Sequence, residues 1–250
     1  MKLLSSARAY SRAVLDLVMP RRCIVCHTSL GIHEEHICLH CLADLPRTHF
    51  SICSRNQMAD RFNDLIRTFE GETAPFSEYS YATALFFYRS STGYSLITQR
   101  LKYHSDLSAG RYFAAMLGKE LASSPLFRDA DALIPVPLHW SRKWSRGYNQ
   151  AEVIADELSR WLRIPVRNDV LYRPRRTKTQ TRMKVTDKEA NVRGAFRVRK
   201  GACLSGLSHV VIVDDVFTTG ATVHSCYLAL REVLPPEVRI SVATLGCVGQ

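Results

Sequence analysis

Two adjacent carboxylates, Asp214 and Asp215, end an apolar run that is typical of a buried strand. Like charges this close repel one another unless a cation or a hydroxyl-rich group lies beside them. Two partners would suit the pair: a metal ion, or the paired hydroxyls of a ribose. Residues 218–222, Thr-Thr-Gly-Ala-Thr, then supply hydroxyls and backbone N–H groups where a helix is predicted to begin. A sugar diol beside a phosphate-binding turn describes a site for a ribose 5-phosphate.

Other phosphate-binding motifs do not account for this stretch. The chain has no GxxxxGK[ST] sequence, which argues against a P-loop nucleotidase. It also has no GxGxxG after an early strand, so a dinucleotide site has no support. Gly220 allows a left-handed turn because it carries no Cβ.

A second group of residues has the spacing of a metal site. The cysteines form two CxxC pairs separated by eleven residues: Cys23, Cys26, Cys38 and Cys41. Two such turns close a tetrahedron of thiolates around zinc, whereas a redox-active CxxC expects a helix-and-sheet context that this polar stretch lacks. Four protein ligands leave no open coordination position, so the predicted role is structural. The other cysteines are interpreted as small hydrophobic residues: Cys53, Cys203, Cys226 and Cys247.

The composition is that of a globular protein with an unusual charge. The chain has 250 residues, 46% of them hydrophobic, and a formal net charge of +11. Such a charge indicates an anionic partner, although a basic surface kept for solubility would give the same count. Clustered cysteines without an export signal favour a reducing compartment, so we expect a cytoplasmic protein without an integral membrane segment. Apolar residues between Leu3 and Val18 predict an amphipathic helix, docked on the protein itself or lying on an anionic membrane.

Apolar strands alternate with amphipathic helices through most of the chain. Strands are predicted at 79–89, 131–137, near 166–172, at 209–215 and 238–246, and helices at 92–103, 108–122, 149–163 and 221–234. This alternation predicts an α/β fold with a mainly parallel sheet flanked by helices, preceded by a small four-cysteine zinc-binding domain. Ligands bind outside the carboxyl ends of such strands, which places the acidic pair at the ligand edge.

The segment "VVIVDDVFTTGAT" resembles the phosphoribosyl pyrophosphate (PRPP) motif of type I phosphoribosyltransferases. The whole chain resembles the ComF family of competence-associated proteins. The resemblance is carried by "DLVMPRRCIVC" with the second CxxC, by "IPVPLHWSRKWSRGYNQAEVIADEL" and by "TKTQTRMKVTDKEANVRGAF". It implies an N-terminal helix and zinc-binding domain over residues 1–65, and a phosphoribosyltransferase-like domain over residues 66–250.

The resemblance also implies roles for individual residues. Asp214 and Asp215 would be the catalytic pair that holds the ribose hydroxyls, directly or through Mg²⁺. The residues implied to bind the 5-phosphate are Thr218, Thr219, Gly220, Ala221 and Thr222. The loop of Pro135, Val136 and Pro137 would lie at the diphosphate, and the charges that would neutralise the leaving diphosphate are Arg142, Lys143 and Arg146. A later loop containing Gln180, Asn191 and Arg193 would close over the substrate.

Three functions remain open at this level. The first is a transferase that moves phosphoribosyl from PRPP to an unknown acceptor. The second is a binding module that senses PRPP or binds single-stranded DNA during DNA uptake, since aromatic side chains at Trp140, Trp144 and Tyr148 alternate with basic ones. The third is an adaptor in nucleic-acid repair or transport that acts only through protein partners, including DNA-uptake proteins.

Overall fold

The structure is a computed structural model that describes residues 19–70, 78–103, 106–138, 147–174 and 194–249. Its centre is a four-stranded sheet of β1 (Ala82–Phe87), β2 (Ala132–Pro135), β5 (His209–Phe217) and β6 (Arg239–Cys247). The strand order is β1-β6-β5-β2, and each neighbouring pair is parallel. The prediction of an α/β fold with a mainly parallel sheet is confirmed.

Helices cover both faces of the sheet. The helices are α1 (Leu39–Ala43), α2 (Gln57–Glu70), α3 (Ser95–Tyr103), α4 (Leu107–Ala122), α5 (Gln150–Leu162) and α6 (Ala221–Arg231). Because successive strand residues point to opposite faces, Val210 and Ile212 join the core beneath α2 and α6. Val211 and Val213 join the core beneath α3, α4 and α5. Each face of the central strand is therefore buried under its own helical layer.

Two elements differ from the sequence-based expectation. The strand expected near 166–172 contains only β3 (Leu171–Tyr172), which pairs antiparallel with β4 (Arg197–Val198). Val166 instead forms an isolated parallel bridge with Leu133, because the chain there lies along the outer edge of β2.

The second difference is α2, which lies in a stretch that the sequence analysis left without an element. Its buried side chains are Met58, Ala59, Phe62 and Ile66, and they belong to the same core as β1 and α6. The helix runs through residue 65, where the resemblance places the boundary between the two domains.

Both edges of the sheet are covered by irregular chain segments. On β1, the Thr48 N–H donates to the Leu85 carbonyl at 3.3 Å, and the Phe87 N–H donates to the Pro46 carbonyl at 2.8 Å. On β2, the Leu133 N–H donates to the Pro165 carbonyl at 3.0 Å. These contacts satisfy backbone groups that an open edge would expose to other chains.

No helix within the described ranges combines the length and the apolar content that a membrane crossing requires. The N-terminal helix expected between Leu3 and Val18 lies outside the described residues.

Candidate functional site

Four cysteine sulfurs converge in the chain just before the segment that covers the edge of β1. The Sγ atoms of Cys23, Cys26, Cys38 and Cys41 all lie within 4.8 Å of one another. The Cys26 and Cys38 sulfurs are 3.7 Å apart. A tetrahedral zinc ion with bonds of about 2.3 Å needs sulfurs separated by about 3.8 Å. The thiols therefore fit one tetrahedral zinc ion.

Local backbone geometry prepares these sulfurs for a cation. Cys38 is the N-cap of α1, and its Sγ accepts from the Cys41 N–H at 3.5 Å. The Cys38 N–H in turn donates to the Cys23 Sγ at 3.4 Å. Burial raises the pKa of the Cys41 thiol in the absence of metal, so four thiolates need a bound cation to coexist here.

The cysteine cluster is packed against the helical layer of α3 and α4. The Tyr94 hydroxyl, just before α3, donates to the Cys41 carbonyl at 3.1 Å. His36, within the same segment, contacts the Ser108 hydroxyl at the start of α4 through Nε2 at 3.1 Å. Arg47 pairs with Glu120 of α4 at 2.9 Å. The zinc-binding segment is thus a fixed part of the sheet domain's surface.

The acidic pair, Asp214 and Asp215, lies in the second half of β5. Asp215 is 8% exposed, and its Oδ2 lies 3.0 Å from the Nζ of Lys102 in the last turn of α3. Burial disfavours the ammonium, but the charges around it, first Asp215 and then Asp214, together outweigh this and raise the pKa of Lys102. Sequence reasoning missed Lys102, whose position in an amphipathic helix gives no sign of this partner.

Asp214 has a different environment from its neighbour. Its Oδ1 accepts from the Asp215 N–H at 2.8 Å. Burial, and then repulsion from Asp215, raise the pKa of Asp214 to about 7. Lys102 and then Arg173 oppose this rise, and the Asp214 charge acts in turn on the buried thiol of Cys226 in α6. Lys102 therefore acts on both carboxylates, although its ion pair is with Asp215.

The threonine turn leads directly from β5 into α6. Gly220 is the N-cap of α6 in a left-handed conformation, with φ of 83°. Thr218 and Thr219 are exposed, and the Thr219 Oγ1 accepts from the Ala221 N–H at 3.4 Å. As a glycine, the N-cap offers no side-chain acceptor to the first turn of α6. An incoming anion would therefore find N–H groups and hydroxyls together at a helix N-terminus.

The proline loop lies beside the acidic pair. The Val136 N–H donates to the carbonyl of Val213, which precedes Asp214, at 2.9 Å. Asn149 holds the loop from the other side, because its Nδ2 donates to the Val136 carbonyl at 3.0 Å. The Asn149 Oδ1 also accepts from the Ala151 N–H at 3.1 Å and so caps α5. One side chain thus joins the proline loop to the next helix.

The other residues that the resemblance assigns to the site lie outside the described part of the chain. The basic side chains Arg142, Lys143 and Arg146 lie outside the described residues, as do Gln180, Asn191 and Arg193 of the expected lid. Trp140 and Trp144 lie outside them too, whereas the Tyr148 hydroxyl donates to the Leu101 carbonyl at the end of α3.

Comparison with known proteins supports both the predicted zinc-binding segment and the resemblance of the chain to competence-associated proteins. A family model described as a double zinc ribbon domain matches residues 14–62. Competence protein F of Haemophilus influenzae is 33% identical over 149 residues, covering 58% of this chain and 65% of that protein. The chain is a homologue of competence protein F. The predicted structural zinc site is confirmed by the double zinc ribbon match and the four-cysteine cluster.

Two further relatives match over shorter stretches. The DNA utilization protein YhgH of Escherichia coli strain K12 is 40% identical over 93 residues, covering 37% of this chain and 40% of that protein. Competence protein ComFC of Bacillus subtilis is 29% identical over 100 residues, covering 40% of this chain and 38% of that protein. The chain thus spans less than two thirds of the length of each of these relatives.

Proposed function

We propose that the chain binds PRPP at the end of β5 and β2, where the acidic pair, the threonine turn and the proline loop meet. The observation that carries the proposal is the convergence of these three segments on neighbouring parallel strands. The Val136 N–H bond to Val213 joins the proline loop to β5 one residue before the acidic pair. Ligands of open parallel sheets bind at this end of the strands.

The polar groups at this edge of the sheet would bind the ribose and the 5-phosphate of PRPP. Carboxylate oxygens of Asp214 and Asp215 would accept hydrogen bonds from the two ribose hydroxyls. The N-terminus of α6, with residues 218–222, would bind the 5-phosphate through N–H groups and hydroxyls. Gly220 allows the turn because its φ of 83° and the close approach of Leu65 and Phe217 leave no place for a Cβ.

The diphosphate needs positive charge, and the sequence concentrates basic residues after the proline loop and after β3. Residues 173–193 contain eight basic and two acidic side chains, and the stretch begins at Arg173, whose charge acts on Asp214. Arg142, Lys143 and Arg146 follow the proline loop in sequence. Much of the net charge of +11 therefore lies in two stretches of the sequence, one after the proline loop and one after β3.

The proposed reaction transfers phosphoribosyl to an unidentified acceptor. The acceptor's lone pair would form a bond to the anomeric carbon, while the bond from that carbon to the diphosphate oxygen breaks and diphosphate leaves. Asp214 and Asp215 would hold the sugar in place, and the basic side chains would stabilise the departing charge.

Mg²⁺, which the resemblance implies, would add positive charge at the diphosphate. The acidic pair itself does not fit a directly bound dication, since the Lys102 ammonium already lies 3.0 Å from Asp215. No step of the proposed reaction depends on a metal ion held by these carboxylates.

Calorimetric titration of PRPP into the zinc-loaded protein tests the proposal. We expect saturable binding by the wild type, and loss of that binding in the double variant Asp214→Asn/Asp215→Asn. Cys203→Ser, an exposed change in the chain before the start of β5, serves as the control and should bind as the wild type does. Absence of binding by the folded wild type would overturn the proposal, and retained binding by the double variant would place the ligand elsewhere.

A role in DNA uptake, with direct binding of single-stranded DNA, is the second candidate. Two observations favour it: the net charge of +11 and the names of the relatives, which refer to competence and DNA utilization. Such a protein would act on the cytoplasmic side of the membrane, beside DNA-uptake proteins. Fluorescence titration with a single-stranded oligonucleotide at several salt concentrations tests this. Affinity that falls steeply with salt supports electrostatic DNA binding, and no binding at low salt refutes it.

A further inference from the structure

Lys102 is held firmly at the acidic pair. Its side chain is 29% exposed, and its partner Asp215 is 11% exposed at the side chain, so the ion pair is largely withdrawn from water. The preceding residue, Leu101, is completely buried, and its carbonyl accepts from the Tyr148 hydroxyl. The end of α3 is thereby anchored on the segment that leads into α5. The ammonium is a fixed component of the site.

This ammonium changes what the two carboxylates can bind. It lies 3.0 Å from Asp215 Oδ2 and so occupies one of the four carboxylate oxygens of the pair. A divalent cation bound to Asp215 would lie within a few ångströms of Nζ, where like charges repel strongly in a partly buried site. A sugar diol is neutral and donates hydrogen bonds, so it suffers no such repulsion and can use oxygens other than Asp215 Oδ2 and Asp214 Oδ1, the latter of which accepts from the Asp215 N–H.

We propose that Lys102 is the resident cation of the acidic pair and determines its ligand class, a neutral cis-diol rather than a free divalent metal ion. A metal ion that accompanies PRPP would then be bound by the diphosphate. The diol half of this proposal rests on the proposed function, whereas the exclusion of free metal depends only on Lys102 and the two carboxylates.

The metal half is tested by titrating Mn²⁺, a spectroscopic substitute for Mg²⁺, into zinc-loaded protein in metal-depleted buffer. The free-ion electron paramagnetic resonance signal reports how much Mn²⁺ the protein removes. We compare the wild type with Lys102→Met, Lys102→Arg and the double variant Lys102→Met/Asp215→Asn. Lys119→Met provides the matched control, because Lys119 lies on the exposed face of α4 over the Trp161 ring.

We expect Lys102→Met to bind Mn²⁺ at least about tenfold more tightly than the wild type, because a unit charge at this distance is worth more than that factor. Lys102→Arg and Lys119→Met should behave as the wild type, and adding Asp215→Asn should abolish the gained binding. The proposal is overturned if the wild type binds Mn²⁺ through Asp215, or if a folded Lys102→Met gains nothing. If Lys102→Met does not fold, the other two proteins still test the proposal. It is refuted if the wild type and Lys102→Arg bind Mn²⁺ through Asp215.

The diol half is tested with ribose 5-phosphate and 2-deoxyribose 5-phosphate, which lack the diphosphate. Wild-type protein should bind the ribose form equally well with and without Mg²⁺, and at least about tenfold more tightly than the deoxy form. Binding that requires Mg²⁺ would refute the diol half. If neither sugar phosphate nor PRPP binds, the proposed function fails while the Mn²⁺ result stands by itself.

Discussion

Gly220 contributes both to the stability of the fold and to the conformation of the proposed phosphate-binding turn. Its φ of 83° is a conformation that residues with a Cβ rarely adopt. An added Cβ would also lie 2.7 Å from Leu65 Cδ1 and 2.8 Å from Phe217 Cζ. Gly220→Ala therefore combines two separate costs, one from the backbone and one from steric overlap.

The two costs can be separated with a matched variant. Gly206 has a φ of 78°, but nothing lies within 4 Å of a Cβ built there. Gly206→Ala should lower the free energy of unfolding by about 1–2 kcal/mol, the cost of a left-handed alanine. Gly220→Ala should lower it by a further ~1–3 kcal/mol, because Leu65 and the Phe217 ring must move in a packed core.

Urea denaturation followed by circular dichroism measures both changes, and PRPP titration of the folded variants measures the effect on the site. Relief of the overlap must shift the start of α6, so Gly220→Ala should also weaken PRPP binding, whereas Gly206→Ala should not. If the two variants are destabilised equally, overlap with Leu65 and Phe217 adds no cost to the free energy of folding. That result would refute the reasoning.

Three further predictions concern the zinc site, its docking and the acidic pair. Cys38→Ser should lose the bound zinc, of which elemental analysis should find about one ion per wild-type chain, whereas the exposed Cys53→Ser should retain it. Arg47→Met should lower the free energy of unfolding in urea by about 1–3 kcal/mol, because it leaves the Glu120 carboxylate half-buried without its partner; no change would contradict this. The contribution of Asp214 to stability should fall as pH rises from about 4 to 7, because the folded state keeps a proton on Asp214 that the unfolded state releases. Asp214→Asn should flatten this dependence, and unchanged pH profiles would exclude Asp214 as its source.

Much of the fold was predictable because its signals are local. Long apolar strands alternating with amphipathic helices predict the parallel sheet, and the CxxC spacing predicts the cysteine cluster. The helix α2 was missed because its buried residues, Met58, Ala59, Phe62 and Ile66, are separated by polar and charged ones that suggest a loop. Their spacing has the helical period, which was the available signal.

The surroundings of the acidic pair were not predictable in the same way. Asp214 and Asp215 could be placed at the ligand edge from the strand that precedes them. Their cations come from distant parts of the chain, Lys102 at the end of α3 and Arg173 just after β3. Such pairing depends on how the helices pack on the sheet, and the periodicity of a single segment carries no information about it.

The zinc-binding segment and the acidic pair are connected through α3. The Tyr94 hydroxyl bonds to the Cys41 carbonyl, and a Cβ on Gly93 would lie 2.5 Å from the Val25 carbonyl oxygen. The start of α3 therefore rests on the zinc-binding turns, while its end places Lys102 on Asp215. The zinc-binding turns and the acidic pair therefore contact opposite ends of the same helix, so the packing that places Lys102 on Asp215 includes the four-cysteine segment.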